Sequence, residues 1–252
     1  MIGSSGLFAG LLMTEYNIGV WPSIFLTFLF AAAIGFTNGW LVVTTGLPSF
    51  IVTLAMFFSL RGINLGVTKL LTDTVRVAGI AELPDGSPRP GYESAKTVFA
   101  SDFSAYNFRI AVVWWLALTV VATLVLTRTR FGNWIFATGG NKLAAIQAGV
   151  PVNRVKLILF GLTAGLAGLA GIIQMTQFSM VGAMRGQLEE MYLIAMVVIG
   201  ATRFSGGYGS VLGVTFGVFI MAIIQNGLSL MGVTAYWYKA VVGLVILIAV
   251  II

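Results

Sequence analysis

The chain contains six apolar runs that are each long enough to cross a lipid bilayer. About 20 helical residues at 1.5 Å per residue span the roughly 30 Å of hydrocarbon. The candidate spans are 22–40, 48–65, 109–127, 157–178, 210–230 and 236–252. Two shorter apolar pieces, 3–13 and 191–203, are too short to cross and are predicted to form short or broken helices. The pattern predicts an all-α fold, a polytopic transmembrane helical bundle with about six full spans.

Composition excludes most other protein classes. With 58% hydrophobic and 9% charged residues, the chain has too little polar surface to cover a water-soluble globule. The net charge of +6 is explained by basic residues beside the spans rather than by nucleic-acid binding. Because the chain has no Cys and no His, disulfides, thiolate nucleophiles and the usual zinc or haem ligands are excluded. We predict no metal site and no nucleic-acid partner.

The segment 128–156 orients the bundle. It contains five basic residues and no acidic residue. The basic residues are Arg128, Arg130, Lys142, Arg154 and Lys156. Lys and Arg beside a span resist translocation, so this segment is predicted to be cytoplasmic. It also carries a GGN turn followed by a short Ala-rich helix, which favours a structured docking element for a soluble partner over a simple tether.

Counting spans from this segment places the other loops. The long connection 66–108, whose charges nearly cancel, falls on the outer face. Residues 180–190 fall outside and residues 203–208 inside, and the C-terminus is predicted to be cytoplasmic. A connection of this length is functional or disordered, so docking of a partner and a disordered insertion are both open.

Glycines inside the spans are spaced for close helix contact. In lipid, small residues allow backbones to approach, and this approach drives helix association. The predicted packing positions are Gly161, Gly165, Gly168, Gly209, Gly213 and Gly217. Packing is the simpler interpretation of this pattern, with a ligand role as the alternative.

Several chemistries are missing from the spans. The ionisable residues Glu15, Glu189, Glu190, Arg203 and Lys239 fall at predicted span ends, so we expect no proton carrier at membrane depth. The Gly-rich stretch SGGYGS at 205–210 lacks the Lys of a phosphate loop and is predicted to be a tight helix connection. We predict that the chain is not an enzyme and that energy for uphill transport comes from elsewhere.

Three blocks carry a family resemblance. NGWLVVTTGLPSFIVTLAMFFSLRGI (38–63), RFGNWIFATGGNKLAAIQAGVPVNRVKLILFGLTAGLAGLAGII (130–173) and residues 191–250 resemble the permease subunits of sugar-type bacterial ABC importers. These include ribose, xylose, galactose and autoinducer permeases, in a family shared with branched-chain amino acid permeases. The branched-chain alternative is disfavoured because GLPSFIVTLA and the terminal YWYKAVVGLVILIAV are more similar to the sugar branch.

The resemblance implies a permease in the bacterial inner membrane, paired with a second copy or a paralogue. A periplasmic substrate-binding protein and a cytoplasmic ATPase would serve it, and the ATPase would bind the ATP and Mg. The permease itself would hold no cofactor, and residues 1–252 would form a single permease domain in contact with lipid. An ATP-independent channel or facilitator is the alternative class.

The resemblance also implies that the cytoplasmic loop seats in a cleft of the ATPase. The matching residues are Gly139, Gly140, Asn141, Ala144, Ala145 and Gly149. Asn141 is expected to cap the helix that follows, and Ala144 and Ala145 are expected to offer a small rigid face. A helix resting on the membrane surface is the alternative.

Two further expectations concern the path and the N-terminus. Asn38, Phe50 and Thr53 are candidates for lining the translocation path, because Gly46 and Pro48 interrupt the helices and exposed backbone at depth needs protein or water beside it. Ordinary packing is an equal alternative. Members of the resembled family have about two spans ahead of the region matching residue 1, so we expect an N-terminal truncation, a misplaced start codon or a shortened subtype.

Overall fold

The computed structural model describes residues 1–103, 108–187, 189–203 and 206–251. Its elements are α1 (Ile2–Thr14), α2 (Val20–Thr45), α3 (Ser49–Thr72), β1 (Arg76–Val77), α4 (Tyr92–Phe99), β2 (Asp102–Phe103), β3 (Phe108–Arg109), α5 (Ile110–Arg128), α6 (Arg130–Gly140), α7 (Lys142–Gln147), α8 (Val152–Phe178), β4 (Val181–Gly182), α9 (Glu189–Ile199), α10 (Val211–Leu230) and α11 (Ala235–Ile251). The prediction of an all-α helical bundle is confirmed.

Within the described residues, five helices are long and apolar enough to cross a membrane. They are α2, α3, α5, α8 and α10. The sixth predicted span corresponds to α11, which has 17 residues. The largest boundary difference is in α3, which continues to Thr72 instead of ending near residue 65. Its last two turns contain Gly66 and Lys69, which weaken the apolar pattern without breaking the helix.

The chain divides into two compact units. Unit 1 comprises Met1–Trp114 and Lys156–Gln187, and unit 2 comprises Trp115–Val155 and Leu188–Ile252. The grouping of residues 1–252 into a single permease domain stays a prediction.

Helix α1 lies in the core of unit 1. Its 13 residues cover about 20 Å, which is too short to cross a bilayer, and most of them are buried. Glycines allow this burial: a Cβ at Gly6 would lie 3.0 Å from the Gly171 carbonyl oxygen, and a Cβ at Gly171 would overlap the Ile2 carbonyl oxygen. The predicted short helix over 3–13 is therefore confirmed, as an internal packing element.

The outer cap, defined as residues 73–103 with 179–187, is folded within unit 1. Strand β1 pairs antiparallel with β4, so that Val77 faces Val181. The guanidinium of Arg89, only 4% exposed, donates to the carbonyls of Ile80 (3.2 Å) and Glu82 (3.1 Å). The described part of the predicted 66–108 connection is thus ordered, which contradicts a disordered insertion. Tyr106, one of its aromatic residues, lies outside the described residues.

Tyr92 joins the outer cap to the end of α8. Its hydroxyl donates to the Thr176 carbonyl oxygen at 3.0 Å and lies 2.9 Å from Ser179 Oγ, and its side chain is 3% exposed. Burial raises the pKa of the Tyr92 phenol above its ordinary value of 10.0, while the Ser179 hydrogen bond lowers it by less. The neutral phenol is the form that the fold stabilises.

This pKa gives the outer cap a pH dependence. Because the folded pKa is raised, the contribution of Tyr92 to stability is present below pH 10 and is lost as pH rises through the folded pKa. At neutral pH, Tyr92→Phe should lower the free energy of unfolding by about 1 kcal/mol through the lost hydrogen bonds. We expect the difference in melting temperature between the wild type and Tyr92→Phe to become smaller above a pH of about 10. A gap that stays constant through this range would contradict the assignment.

The predicted packing glycines of α8 separate into two kinds. A Cβ at Gly168 would lie 3.0 Å from Ala31 Cβ, and one at Gly161 would lie 3.0 Å from the Phe36 ring. Both lie at the contact between α8 and α2. Gly165 has no described atom within 4 Å of such a Cβ, so its packing role stays a prediction. The three glycines lie on nearly the same face of α8, so spacing alone does not show which of them meets a neighbour.

In unit 2, glycines bring α9 and α10 into backbone contact. A Cβ at Gly217 would overlap the Met196 carbonyl oxygen, and one at Gly213 would overlap the Gly200 carbonyl oxygen. A Cβ at Gly209 would lie 2.9 Å from Thr202 Cγ2. All three predicted packing positions here lie against a neighbouring segment of unit 2. A small core of Ala195, Met221 and Val242 fills the space beside this contact.

Candidate functional site

The basic segment 128–156 begins with a tight turn between α5 and α6. The Thr129 hydroxyl donates to the Val125 carbonyl at 2.6 Å and accepts from the Gly132 amide at 3.2 Å. Gly132 lies against α5 so closely that a Cβ there would overlap the Leu126 carbonyl oxygen. Helix α6 was not expected from the sequence because its three glycines are poor helix formers. The Thr129 cap was the signal that marked its start.

Helix α7 is fixed at both ends. The Asn141 side-chain oxygen accepts from the amides of Leu143 (3.0 Å) and Ala144 (3.1 Å), which confirms the predicted cap. At the other end, Gly149 adopts a φ of +79°, and its amide donates to the Ile146 carbonyl at 2.9 Å. This left-handed turn is the reason for a glycine at 149. Helix α7 is therefore a short, capped projection.

The exposed face of α7 differs from the predicted one. Ala144 is exposed, but Ala145 is 3% exposed and packs into the loop. Leu143 and Ile146 are 72% and 50% exposed. The Ala145 side chain is therefore covered in this structure, and its predicted role in ATPase coupling stays a prediction. The sequence signal for Leu143 and Ile146 was two large apolar side chains on a helix outside every predicted span.

Gly139 and Gly140 have a packing role that the sequence analysis did not find. They are the last residues of α6, and they lie against the backbone of Gly206 and Gly207. A Cβ at Gly139 would lie 2.7 Å from the Gly207 nitrogen, and a Cβ at Gly207 would lie 2.7 Å from Gly140 Cα. We call these four residues the glycine contact. The GGN sequence is thus a helix end in close backbone contact rather than an open turn.

The glycine contact also bears on topology. The loops 128–156 and 203–208 were both predicted to lie inside, and the glycine contact places them on the same side of unit 2. The second loop is tight in its described part, since the Arg203 amide donates to the Tyr208 carbonyl at 3.2 Å. Phe204 and Ser205 lie outside the described residues.

The electrostatics of the segment follow from its composition. Arg128, Arg130, Lys142 and Arg154 are exposed, and the segment holds no carboxylate. The segment therefore carries positive charge, and Lys142 places one of these charges on α7 itself. No three His, Cys, Asp or Glu residues among those described lie close enough together to hold a metal ion.

The three path candidates are not brought together as a site. Asn38 on α2 is 8% exposed, and its Oδ1 has no partner among the described residues. Phe50 is 63% exposed, and the Thr53 hydroxyl donates to carbonyls of its own helix. The predicted interruption is present, with Gly46 at a φ of +68° ending α2 and Pro48 preceding α3. Their role in the path stays a prediction.

Arg61 is a charged residue at the centre of an apolar helix, a position that was not expected from the sequence. The predicted span 48–65 placed it near a helix end, whereas α3 extends from Ser49 to Thr72 and puts it at the midpoint. A charge at the centre of a spanning helix costs about 2.5 kcal/mol or more. An arginine does not lose its proton in proteins, so the expectation of no proton carrier is unaffected.

The chain is similar to known proteins over most of its length. A family described as branched-chain amino acid transport system, permease component, matches residues 1–250. The xylose transport system permease protein of Escherichia coli K12 is 31% identical over 91% of this chain and 70% of that protein. The ribose import permease protein of the same strain is 33% identical over 88% of this chain and 65% of that protein.

A third relative is the galactose/methyl galactoside import permease protein of Escherichia coli K12. It is 34% identical over 87% of this chain and 62% of that protein. The chain therefore spans about two thirds of the length of these relatives. No solved structure matches it.

Proposed function

The chain belongs to the family of branched-chain amino acid transport system permease components, and from that premise we propose that it is the membrane subunit of an ATP-driven importer for a monosaccharide. The three relatives are named for xylose, ribose and galactose transport, which favours a sugar over a branched-chain amino acid. The five apolar helices make it a multi-pass membrane protein. We place it in a bacterial inner membrane with its C-terminus in the cytoplasm.

The observation that carries the proposal is the geometry of α7. An importer subunit without catalytic residues must receive mechanical work from a partner, and this requires a rigid projection outside the membrane. Helix α7 is such a projection: it is capped by Asn141, closed by Gly149 and held at its base by the glycine contact. Leu143 and Ile146 would fill an apolar cleft of a cytoplasmic ATPase, which binds the ATP and Mg.

The outer cap supports the second partner. It is folded, and it belongs to the connection that the charge pattern predicts to lie outside, where a periplasmic substrate-binding protein would dock. A second permease copy or a paralogue would complete the path. Substrate identity in such an importer is set mainly by the binding protein, so we propose a sugar as a class and name no single one.

Reconstitution tests the proposal. Proteoliposomes that contain the full-length protein with its ATPase and its binding protein should take up a labelled pentose or hexose. This uptake should require ATP on the side of the membrane where the ATPase is bound. The panel should include xylose, ribose, galactose and leucine. Catalytically inactive ATPase is the matched control, because it keeps every contact and removes the energy source.

Two outcomes favour other functions. Uptake of leucine without any sugar uptake would indicate a branched-chain amino acid permease. Equal uptake with active and inactive ATPase would indicate a channel or facilitator. Either result would overturn the sugar importer proposal.

A further inference from the structure

Arg61 lies where no helix end can stabilise it. At 1.5 Å per residue it is about 18 Å from the first residue of α3 and about 16 Å from the last. Arginines near helix ends reach the membrane surface by snorkelling, but a residue at the midpoint does not. Its guanidinium therefore needs polar groups at its own depth.

The described residues offer it none. Arg61 makes no hydrogen bond, ion pair or ring contact with any described residue. Acidic residues are also absent from the interior of α3, and all eight lie at helix ends or in loops. They are Glu15, Asp73, Glu82, Asp85, Glu93, Asp102, Glu189 and Glu190. A second copy of this chain would carry the same residues, so it would bring no carboxylate from the interior of its five long apolar helices.

Arg61 belongs to a polar stripe along α3. At 100° per residue, the polar residues of the stripe fall within about 100° of the helix circumference. They are Thr53, Arg61, Asn64, Thr68 and Thr72. Each of the others has a partner: the Asn64 amide donates to Ser4 Oγ at 2.9 Å, and the threonines donate to carbonyls of α3. Arg61 is the member that is left without one among the described residues.

We propose that Arg61 lines the hydrated path and donates hydrogen bonds to the hydroxyl groups of the passing solute. A guanidinium has five N–H donors in a planar fork and no acceptor, so two neighbouring hydroxyls of a neutral sugar can accept from it together. Water fills the same positions between transport events. This inference rests on the proposed function, and it adds the residue that contacts the solute midway. It also gives Thr53, on the same stripe, a place beside the path.

The natural absence of cysteine makes a direct test possible. In proteoliposomes holding the full-length protein with its partners, the Arg61→Cys thiol should react with a water-soluble cationic methanethiosulfonate, and a transported sugar should slow the reaction. Ile63→Cys is the matched control, since Ile63 lies two residues away on the opposite side of α3, is itself apolar and is 57% exposed. Its thiol should stay unreactive.

Restoring the positive charge at position 61 by chemical modification distinguishes solute binding by Arg61 from a purely structural role. A hydrogen bond to a charged group is worth roughly tenfold or more in binding, so Arg61→Cys should lower sugar uptake at least about tenfold. The cationic reagent should recover part of the uptake, whereas neutral methyl methanethiosulfonate should recover none. Arg61→Lys, which keeps the charge and loses the fork, should insert normally and transport at a reduced rate.

Three results would overturn the inference. They are an Arg61→Cys thiol as unreactive as that of Ile63→Cys, equal effects of the cationic and neutral reagents, and uptake at the wild-type rate by Arg61→Lys. Protection of the Arg61→Cys thiol by leucine but not by sugars would also contradict the inference, because it would indicate that Arg61 binds a carboxylate rather than hydroxyl groups. If the proposed function is wrong, the wild-type protein takes up no sugar. Labelling of the Arg61→Cys thiol by the water-soluble reagent still shows whether position 61 is hydrated.

Discussion

Leu143→Asp should lower ATP-dependent uptake at least about tenfold while leaving the protein folded and inserted in the membrane. Leu143 is 72% exposed at the tip of α7, so the change removes no internal packing. Buried against an ATPase, a leucine side chain contributes about 1.5–3 kcal/mol, and a carboxylate in the same cleft adds a desolvation cost. The measurement is the affinity of the permease for its ATPase, together with uptake. Both should fall by at least about tenfold.

The control is Lys142→Gln, which changes the charge of the same short helix without altering its apolar surface. It should keep most of the uptake. Ile146→Asp should behave like Leu143→Asp, because Ile146 is 50% exposed beside it. Ala145→Glu differs in kind: Ala145 is 3% exposed, so this change should disturb the loop itself and lower its resistance to proteolysis. Normal ATPase binding by Leu143→Asp would show that α7 is not the contact.

The sequence was sufficient for the fold class because the bilayer imposes a simple rule. A backbone in hydrocarbon must satisfy its hydrogen bonds internally, so a long apolar run forms a helix whatever its neighbours are. Helix ends were harder to predict. Residues 66–72 of α3 are less apolar than the rest, yet they stay helical because Thr68 is fully buried and Asp73 closes the helix with a φ of +53°. That error hid the central position of Arg61.

The candidate site was predictable where the physics is local. Asn141 caps α7 through its own side chain, and nothing beyond the next three residues is needed to anticipate this. The direction in which Ala145 and Leu143 point depends on how α7 sits against the rest of the loop. The glycine contact joins residues more than 60 positions apart in the chain. No local pattern shows whether a glycine serves a turn or a contact between distant backbones.

Helix α10 shows why the glycine pattern had to be tested residue by residue. Gly217 and Gly227 are both interior glycines of one apolar helix. A Cβ at Gly217 would overlap the Met196 carbonyl oxygen of α9, whereas a Cβ at Gly227 would meet no described atom within 4 Å. The backbone of α9 packs directly against Gly217. Gly200, next to the end of α9, is also in close contact with the backbone of Val214, which fixes the distance between the two segments. The position of Gly227 is open.

Substitution by alanine should therefore affect the free energy of unfolding differently at these two positions. Gly217→Ala should separate α9 from α10 and lower the free energy of unfolding by about 3 kcal/mol or more, the upper range for overpacking. Gly227→Ala should leave it unchanged or raise it by up to about 1 kcal/mol, because alanine is the better helix former. Thermal unfolding of the two variants in the same detergent measures the difference. Equal stability of the two variants would show that α9 and α10 do not meet at Gly217. A loss of stability in Gly227→Ala alone would indicate that another helix packs against α10 at Gly227.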